Sequence, residues 1–254
     1  MLHVQFLRQQ HGLRLAKGTC DDVAVSGELA EAERVTGAPT QADLAATDTF
    51  DFDDPAVRAW ALDVVGDAAD PAMRARRLFA DVRDRVRYNP AAVDSAPSAY
   101  TASAVLASES NWCVPKAILL TAGARAAGIP ARIGFADVRN HLSTEKLRAR
   151  MGSDVFVFHG YVALNVGGAW RKVSPAFNAE LCTRFGVAPL EFDGRSDALL
   201  HAYDGAGRRH MEYLTDHGTW SDVPLAAMFA AFRETYGGVG AVTAEPPQDP
   251  AFRP

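Results

Sequence analysis

Apolar residues at helical spacing predict two consecutive helices in the first third of the chain. An Asp-Pro pair at 54–55 supplies an N-cap and a first-turn proline, and apolar residues then recur three and four positions apart over 57–65. A second Asp-Pro pair at 70–71 precedes a similar stripe that runs to residue 86. Ahead of them the pattern is weaker: it predicts a strand at 4–15 and a short helix at 28–35.

A third helix is predicted to begin at Cys113, because small or apolar side chains then cover most of its circumference. Gly128 suits the left-handed position that ends many helices, and Pro130 cannot continue one. A strand is predicted over 131–135, and a partly helical insertion over 140–151. The helix is therefore expected to be buried and to lead directly into a sheet.

A β-hairpin follows the insertion. Residues 155–166 alternate between two faces, a Gly-Gly pair at 167–168 supplies a two-residue turn, and 169–174 return as the partner strand. A last helix is predicted over 224–236. One face of the first hairpin strand is expected to carry Phe156, Phe158, Val162 and Leu164. The opposite face is expected to carry His159, Tyr161 and Asn165.

Length and composition favour a single catalytic unit. The chain has 254 residues, of which 48% are hydrophobic and 22% charged, as is typical of soluble globular proteins. The expected division is an N-terminal extension over 1–50, a catalytic domain over 51–240 and a C-terminal tail over 241–254.

Charge and targeting signals exclude several function classes. A formal net charge of -5 gives no surplus for binding nucleic acid or an anionic membrane. The N-terminus shows no secretory signal and no stretch approaches membrane-spanning length, so a cytoplasmic location is expected. The oligomeric state stays open.

The three cysteines, Cys20, Cys113 and Cys182, lie far apart and none belongs to a CxxC pair. Free thiols are therefore expected, with neither a disulfide nor a zinc site. His201, His210 and His217 fall among acidic residues near the C-terminus, but their spacing matches no metal motif. A polar surface loop is favoured there, and no metal or cofactor is predicted.

Cys113 is the candidate nucleophile. A thiol becomes reactive near a helix N-terminus or an imidazolium, and Cys113 opens a helix with Pro115 in its first turn. Its own backbone N–H is the leading candidate for holding an oxyanion. The alternative is a buried, inert cysteine that only begins a core helix.

His159 is the candidate base. If Val166 pairs with Ala169 across the hairpin turn, Ser174 and Asn178 become diagonal neighbours of His159 on the partner strand. Either side chain could reach an imidazole nitrogen. The alternative is a hydrogen-bonded core histidine with no catalytic role.

Two segments resemble the transglutaminase-like superfamily, which has the papain-like cysteine-enzyme fold. Residues 112–120 read Trp-Cys-Val-Pro-Lys-Ala-Ile-Leu-Leu, and 125–132 read Arg-Ala-Ala-Gly-Ile-Pro-Ala-Arg, similar to the family's cysteine helix and following strand. His159 in a strand, with the glycine turn and a tryptophan strand over 167–175, is similar to its histidine hairpin. The resemblance is closest to bacterial transglutaminase-like cysteine proteases.

The resemblance implies an α+β fold in which the cysteine helix packs on an antiparallel sheet, with a helical part before it. It also implies that Cys113 attacks an acyl carbon while His159 takes and returns protons, without a metal or cofactor. The family usually has an aspartate where this chain has Ser174. The third catalytic residue is therefore left open among Asn178, Ser174 and a more distant aspartate, either Asp137 or Asp154.

The expected function is an acyl-transfer reaction through a Cys113 acyl-enzyme on a peptide, amide or thioester substrate. Hydrolysis of an amide or peptide bond is favoured, and an acyltransferase or condensing enzyme using a thioester is the alternative. A peptide-binding module that has lost the reaction is a further hypothesis, motivated by Ser174. The candidate substrate contacts are Trp112, Tyr161, Asp137 and His141.

Overall fold

In the part of the chain that the structure describes, helices predominate up to residue 126, and strands and helices are interspersed after it. The computed structural model describes residues 36–141, 145–199 and 211–237. The helices are α1 (Pro55–Val65), α2 (Pro71–Arg85), α3 (Ala102–Leu106), α4 (Cys113–Ala126), α5 (Glu145–Met151), α6 (Ala179–Arg184) and α7 (Leu225–Tyr236). The strands are β1 (Arg87–Tyr88), β2 (Ser110–Asn111), β3 (Ala131–Asn140), β4 (Val155–Val166), β5 (Ala169–Val173) and β6 (Met211–Trp220). The elements predicted at 4–15 and 28–35 and the tail at 241–254 lie outside the described residues.

Helices α1 and α2 begin where the Asp-Pro pairs predicted. The carboxylate of Asp54 accepts hydrogen bonds from the backbone N–H groups of Ala56 and Val57. Asp70 accepts one from Ala72 in the same way. Each carboxylate satisfies a donor that the first helical turn leaves unpaired. Both predicted helices are confirmed.

Helix α4 forms the centre of the core. Every residue from Cys113 to Arg125 is buried. A Cβ placed on Gly123 would lie 2.8 Å from the Trp60 ring, so only glycine lets α1 pack this closely. The helix ends before Gly128, whose φ of 76° lies in the left-handed region that favours glycine.

The principal sheet is antiparallel and has the strand order β5-β4-β3-β6. Val166 pairs with Ala169 and Val162 with Val173, which is the register that the glycine turn predicts. The ladder ends at Val173, and the next N–H, from Ser174, bonds to the carbonyl of Ala198. The expected α+β fold, with the cysteine helix on an antiparallel sheet, is confirmed.

Strand β4 departs from the simple alternation that its sequence predicts. Ala136 of β3 pairs with His159, but Val138, two residues later, pairs with Phe156. One additional β4 residue therefore lies between the two pairs, and the side-chain alternation shifts at this β-bulge. Because paired residues share a face, Phe156 lies on the face of His159, and the predicted grouping of Phe156 with Val162 was wrong.

The segment just before α1 packs on the domain through a buried ion pair. Arg132 of β3 donates to both carboxylate oxygens of Asp43, at 2.8 and 2.9 Å. Phe50 is fully buried under the Arg125 guanidinium, which lies 4.5 Å from its ring centroid. In the ranges that the structure describes, no helix has the length and apolar character needed to cross a bilayer.

Candidate active site

The Cys113 side chain lies where the first turn of α4 meets strand β4. Trp112, in extended conformation, immediately precedes the helix. A Cβ on Gly160 would lie 3.0 Å from the Val114 Cα, so the absence of a side chain at Gly160 lets the helix start rest directly on the strand. Cys113 is thereby held beside the residue that follows His159 in the chain.

The Cys113 thiol is 5% exposed. Burial raises its pKa to about 11, against the opposing effect of the Gly160, Val114 and Cys113 backbone N–H groups, which favour the thiolate. Lys116, one turn along the helix, also favours the thiolate when it is protonated, but burial lowers its own pKa to about 7. The thiol is therefore protonated at neutral pH.

The His159 side chain is 4% exposed. Its Nε2 lies 3.4 Å from the hydroxyl oxygen of Ser174, so one ring nitrogen faces the residue at the usual aspartate position. Burial lowers the pKa of the imidazole to about 4. The imidazole is thus neutral at pH 7 and able to accept a proton through its other nitrogen.

Cys113 and His159 line the same cavity, which measures about 50 Å³. Its described walls contain no Asp, Glu, Lys or Arg side chain. Apolar groups predominate, contributed by α5, β3, β4, β6, α7 and the segment between β5 and α6: Val138, Met151, Phe156, Phe177, Met211 and Phe232. A thiol and an imidazole therefore share a confined space whose described lining is mainly apolar.

The candidates for the third residue differ in position. Ser174 contacts His159, as described above. The Asn178 side-chain oxygen accepts a hydrogen bond of 3.1 Å from the Tyr88 N–H, and therefore tethers β1. Asp154 pairs with Arg139 at 3.2 Å and is about half exposed. Among the candidates only Ser174 has a hydrogen bond to the imidazole in the described structure.

Of the four candidate substrate contacts, Trp112 alone is among the described residues that line the cavity. The Tyr161 hydroxyl donates to Asp216 at 2.9 Å. His141 lies 3.0 Å from a carboxylate oxygen of Glu212. Asp137 is buried within the sheet and bonds to the backbone of Phe158. The alternation that placed Tyr161 beside His159 says nothing of how far a side chain lies from the thiol, which is why it did not separate these residues.

Two residues of the site were not singled out from the sequence. Gly160 provides the close approach to α4, and a glycine inside an apolar strand is the signal that could have revealed it. The Tyr236 hydroxyl, at the end of α7, accepts from the Val157 N–H at 2.8 Å and donates to the Val155 carbonyl at 3.0 Å. No local pattern connects Tyr236 with a strand 80 residues away, since only the tertiary fold brings them together.

Within the described ranges, no cluster of three or more His, Cys, Asp or Glu side chains could hold a metal ion. His201 and His210, which belong to the C-terminal group considered above, lie outside those ranges. The two described cysteines, Cys113 and Cys182, are free and buried.

A cysteine and a histidine that line one cavity of an α+β fold occur in several classes of protein, and the sequence match indicates which class applies here. Residues 58–175 match the family model described as the transglutaminase-like superfamily. This stretch of the chain is therefore a transglutaminase-like domain, as its cysteine and histidine segments predicted. The match supports a thiol-dependent enzyme.

Two solved structures are similar to part of the chain. One is a candidate cysteine protease from Cytophaga hutchinsonii, 20% identical over 52% of this chain, with a TM-score of 0.41. The other is a candidate protease from Parabacteroides distasonis, 17% identical over 54% of this chain, with a TM-score of 0.35. The matches span 40% and 30% of those two proteins. No curated protein matches the sequence.

Proposed function

We propose that this protein is a thiol-dependent acyl-transfer enzyme that works through an acyl-enzyme on Cys113, with hydrolysis of an amide or peptide bond as its reaction. The observation that carries the proposal is the shared cavity of Cys113 and His159 within a transglutaminase-like domain. The thiol lies at the start of a helix, and the imidazole comes from the strand on which that helix rests.

The resting pair is neutral, and this determines how the reaction begins. Burial opposes the thiolate and the imidazolium when either is formed alone. As the sulfur attacks the acyl carbon, its proton passes to His159, so the imidazolium forms together with a negative charge beside it. The C–N bond then breaks and His159 returns the proton to the leaving amine. Water attacks the thioester with His159 again as the base, which releases the acid and the free thiol.

The negative charge of the tetrahedral intermediate develops next to the beginning of α4. Backbone N–H groups of a first helical turn have no partner within the helix, and the positive end of the dipole lies there. The Cys113 N–H is the proposed oxyanion donor. Ser174 orients the ring through Nε2 but supplies no negative charge, which makes the imidazolium less favourable than it would be beside a carboxylate.

The cavity walls indicate the chemistry of the acyl group. A charged substituent would lose its hydration without gaining an Asp, Glu, Lys or Arg side chain of opposite charge among the described lining residues, which is costly. We therefore propose that the group bound next to the sulfur is neutral and apolar. The chemistry requires a free thiol, which suits a reducing compartment such as the cytoplasm.

The direct test is acylation by an activated ester, followed by intact-mass measurement and peptide mapping. The wild-type protein is mixed with the p-nitrophenyl ester of phenylacetic acid or with a p-nitrophenyl monoester of succinic acid. We expect an adduct on Cys113, formed faster from the neutral ester. Cys113→Ala should remove the adduct and His159→Ala should slow its formation at least about 100-fold, as loss of a general base does.

Cys182→Ser is the matched control, because it removes the other described buried cysteine and should leave the adduct unchanged. An adduct that forms equally well in His159→Ala would contradict the proposed pair. Release of the acyl group to water indicates a hydrolase, whereas release only after an amine is added indicates an acyltransferase.

A non-catalytic peptide-binding module is the second candidate function. The raised pKa of the thiol and the lowered pKa of the imidazole are the observations that favour it, since both groups rest in their uncharged forms. Binding of a neutral peptide without any Cys113 adduct would support it.

A further inference from the structure

We infer that Asp137 and His217 are positioning residues that fix the direction of the His159 imidazole towards the Cys113 cavity. The inference rests on the proposed function, because it concerns the same base. Both residues lie outside the described cavity lining, so the effect inferred for them is indirect and passes through the strand that carries His159.

The β-bulge in β4 is the feature that needs support. Two residues of β4, Val157 and Phe158, oppose the single residue Asp137 of β3. Phe158 has a φ of 55° and is the one non-glycine residue with positive φ in the described chain. A bulky side chain adopts this conformation only where its surroundings enforce it. This strained peptide unit directly precedes His159.

One oxygen of Asp137 receives two hydrogen bonds at this point. The Phe158 N–H donates to Oδ1 at 3.1 Å, and the His217 Nε2 donates to the same oxygen at 2.8 Å. The His217 ring also stacks on the Phe158 ring, with centroids 4.9 Å apart and an interplanar angle of 19°. Phe158 is thus held by its backbone and by its side chain, and both contacts lead to the Asp137–His217 pair.

His217 is itself the additional residue of a second bulge. Phe135 of β3 pairs with Gly218 of β6, and the next residue, Ala136, pairs with Asp216. His217 therefore has no ladder partner, and its imidazole can reach across the sheet to Asp137. Bulges re-aim side chains and often occur beside active sites.

The two bulges and the side chains that satisfy them form one unit around His159. The N–H of Val157 bonds to the Tyr236 hydroxyl and that of Phe158 to Asp137, so each donor that the bulge removes from the ladder has a side-chain acceptor. Without the Asp137 acceptor the Phe158 N–H would be buried and unpaired. Relaxation of Phe158 to an extended conformation would then turn the following peptide and the imidazole with it.

The test is a double-mutant cycle on the second-order rate of Cys113 alkylation by iodoacetamide at pH 7. Asp137→Ala should lower the rate between about 10-fold and 100-fold, the loss expected when a reacting group is misplaced by about 1 Å. In a His159→Gln background the same substitution should have no further effect. Asp137→Asn keeps an oxygen acceptor and should retain most of the wild-type rate. His217→Phe keeps the ring stack but loses the hydrogen-bond donor, so its rate should lie between those of Asp137→Ala and Asp137→Asn.

Asp197→Ala is the matched control, because Asp197 also accepts a backbone N–H of the sheet, from Lys172 of β5 at 3.0 Å, but at a point where the β4–β5 ladder is regular and has no bulge. It should leave the alkylation rate unchanged. The inference is overturned if Asp137→Ala alters the rate no more than Asp197→Ala does, or lowers it equally with and without His159. If the wild-type rate does not depend on His159 at all, the proposed function fails, and this inference fails with it.

Discussion

Two buried groups of ionisable side chains differ in how completely their charges are partnered. Arg132 and Asp43 are 2% and 0% exposed, and the guanidinium meets both carboxylate oxygens, the carbonyls of Gly37 and Ala38 and the face of Trp170. Cys113 and His159 are 5% and 4% exposed, yet among the described residues the imidazole has one hydrogen bond, a long one to Ser174. The first group is permanently charged and the second rests neutral.

The pKa values of Asp43 and His159 show the same difference between the two groups. Burial alone would raise the pKa of Asp43, but the hydrogen bonds and charge of Arg132, together with Thr40, outweigh burial and lower it. At His159 burial acts alone and lowers the pKa to about 4. The ion pair has its charges satisfied in the folded protein, whereas the proposed catalytic pair would create its charges only as it reacts.

Breaking the Arg132–Asp43 ion pair should lower the free energy of unfolding more than the other substitutions proposed below. Asp43→Ala leaves a buried guanidinium without its carboxylate, and loss of one partner from a buried ion pair costs about 3–5 kcal/mol. Denaturant titration measures this loss, and Cys113 alkylation per folded molecule should stay unchanged. Asp67→Ala is the control, since its partnership with Arg77 is exposed and worth no more than about 1 kcal/mol. Equal losses in the two variants would contradict the comparison.

His159 should make the folded protein sensitive to mild acid. Its pKa is about 4 in the folded state and 6.5 without burial, so between these values the unfolded chain binds more protons. Stability is therefore lost as pH falls from 6.5 to 4. His159→Gln should remove this dependence, which amounts to about 3 kcal/mol in the difference between the two unfolding free energies. A difference that is constant from pH 7 to pH 4 would show that the imidazole is not buried in neutral form.

Substitution of Ser174 by alanine should have the smallest effect, which is on the rate of Cys113 alkylation. A hydrogen bond of 3.4 Å is long, so Ser174→Ala is expected to lower the Cys113 alkylation rate less than about tenfold. Ser174→Asp places a carboxylate near Nε2 and should raise the pKa of His159, which NMR titration of the ring can follow. A larger loss in Asn178→Ala than in Ser174→Ala would instead make Asn178 the residue that orients the base.

The sequence predicted the parts of the fold that local patterns determine. The Asp-Pro pairs marked the starts of α1 and α2, and the apolar circumference from Cys113 onward identified the buried helix. The Gly-Gly turn predicted the hairpin register, and with it the approach of Ser174 to His159. Each of these features depends on residues that are close together in the chain.

Features that depend on non-local contacts were not predictable in this way. The sequence predicts a polar loop where the structure has strand β6, which carries Glu212, Asp216 and His217. The loop prediction was wrong because two β-bulges break the alternation of polar and apolar residues along this strand. The roles inferred for Asp137 and His217 depend on the position of Asp137 between β4 and β6, each of which has a β-bulge beside it. The spacing of residues along the sequence does not indicate this arrangement. Strand β3 also continues five residues beyond its predicted end at Phe135 for the same reason, since β6 pairs along it to Asn140.

The most direct test of the Cys113–His159 pair is the pH dependence of Cys113 alkylation by iodoacetamide in the wild-type protein and in His159→Gln, measured between pH 6 and pH 9. The pair predicts that the wild-type rate at pH 7 stays within about tenfold of its value at pH 9, because the imidazole accepts the proton as the sulfur attacks. In His159→Gln the rate should fall about tenfold for each unit of pH, since only the free thiolate can react. Two superimposable profiles would contradict the account.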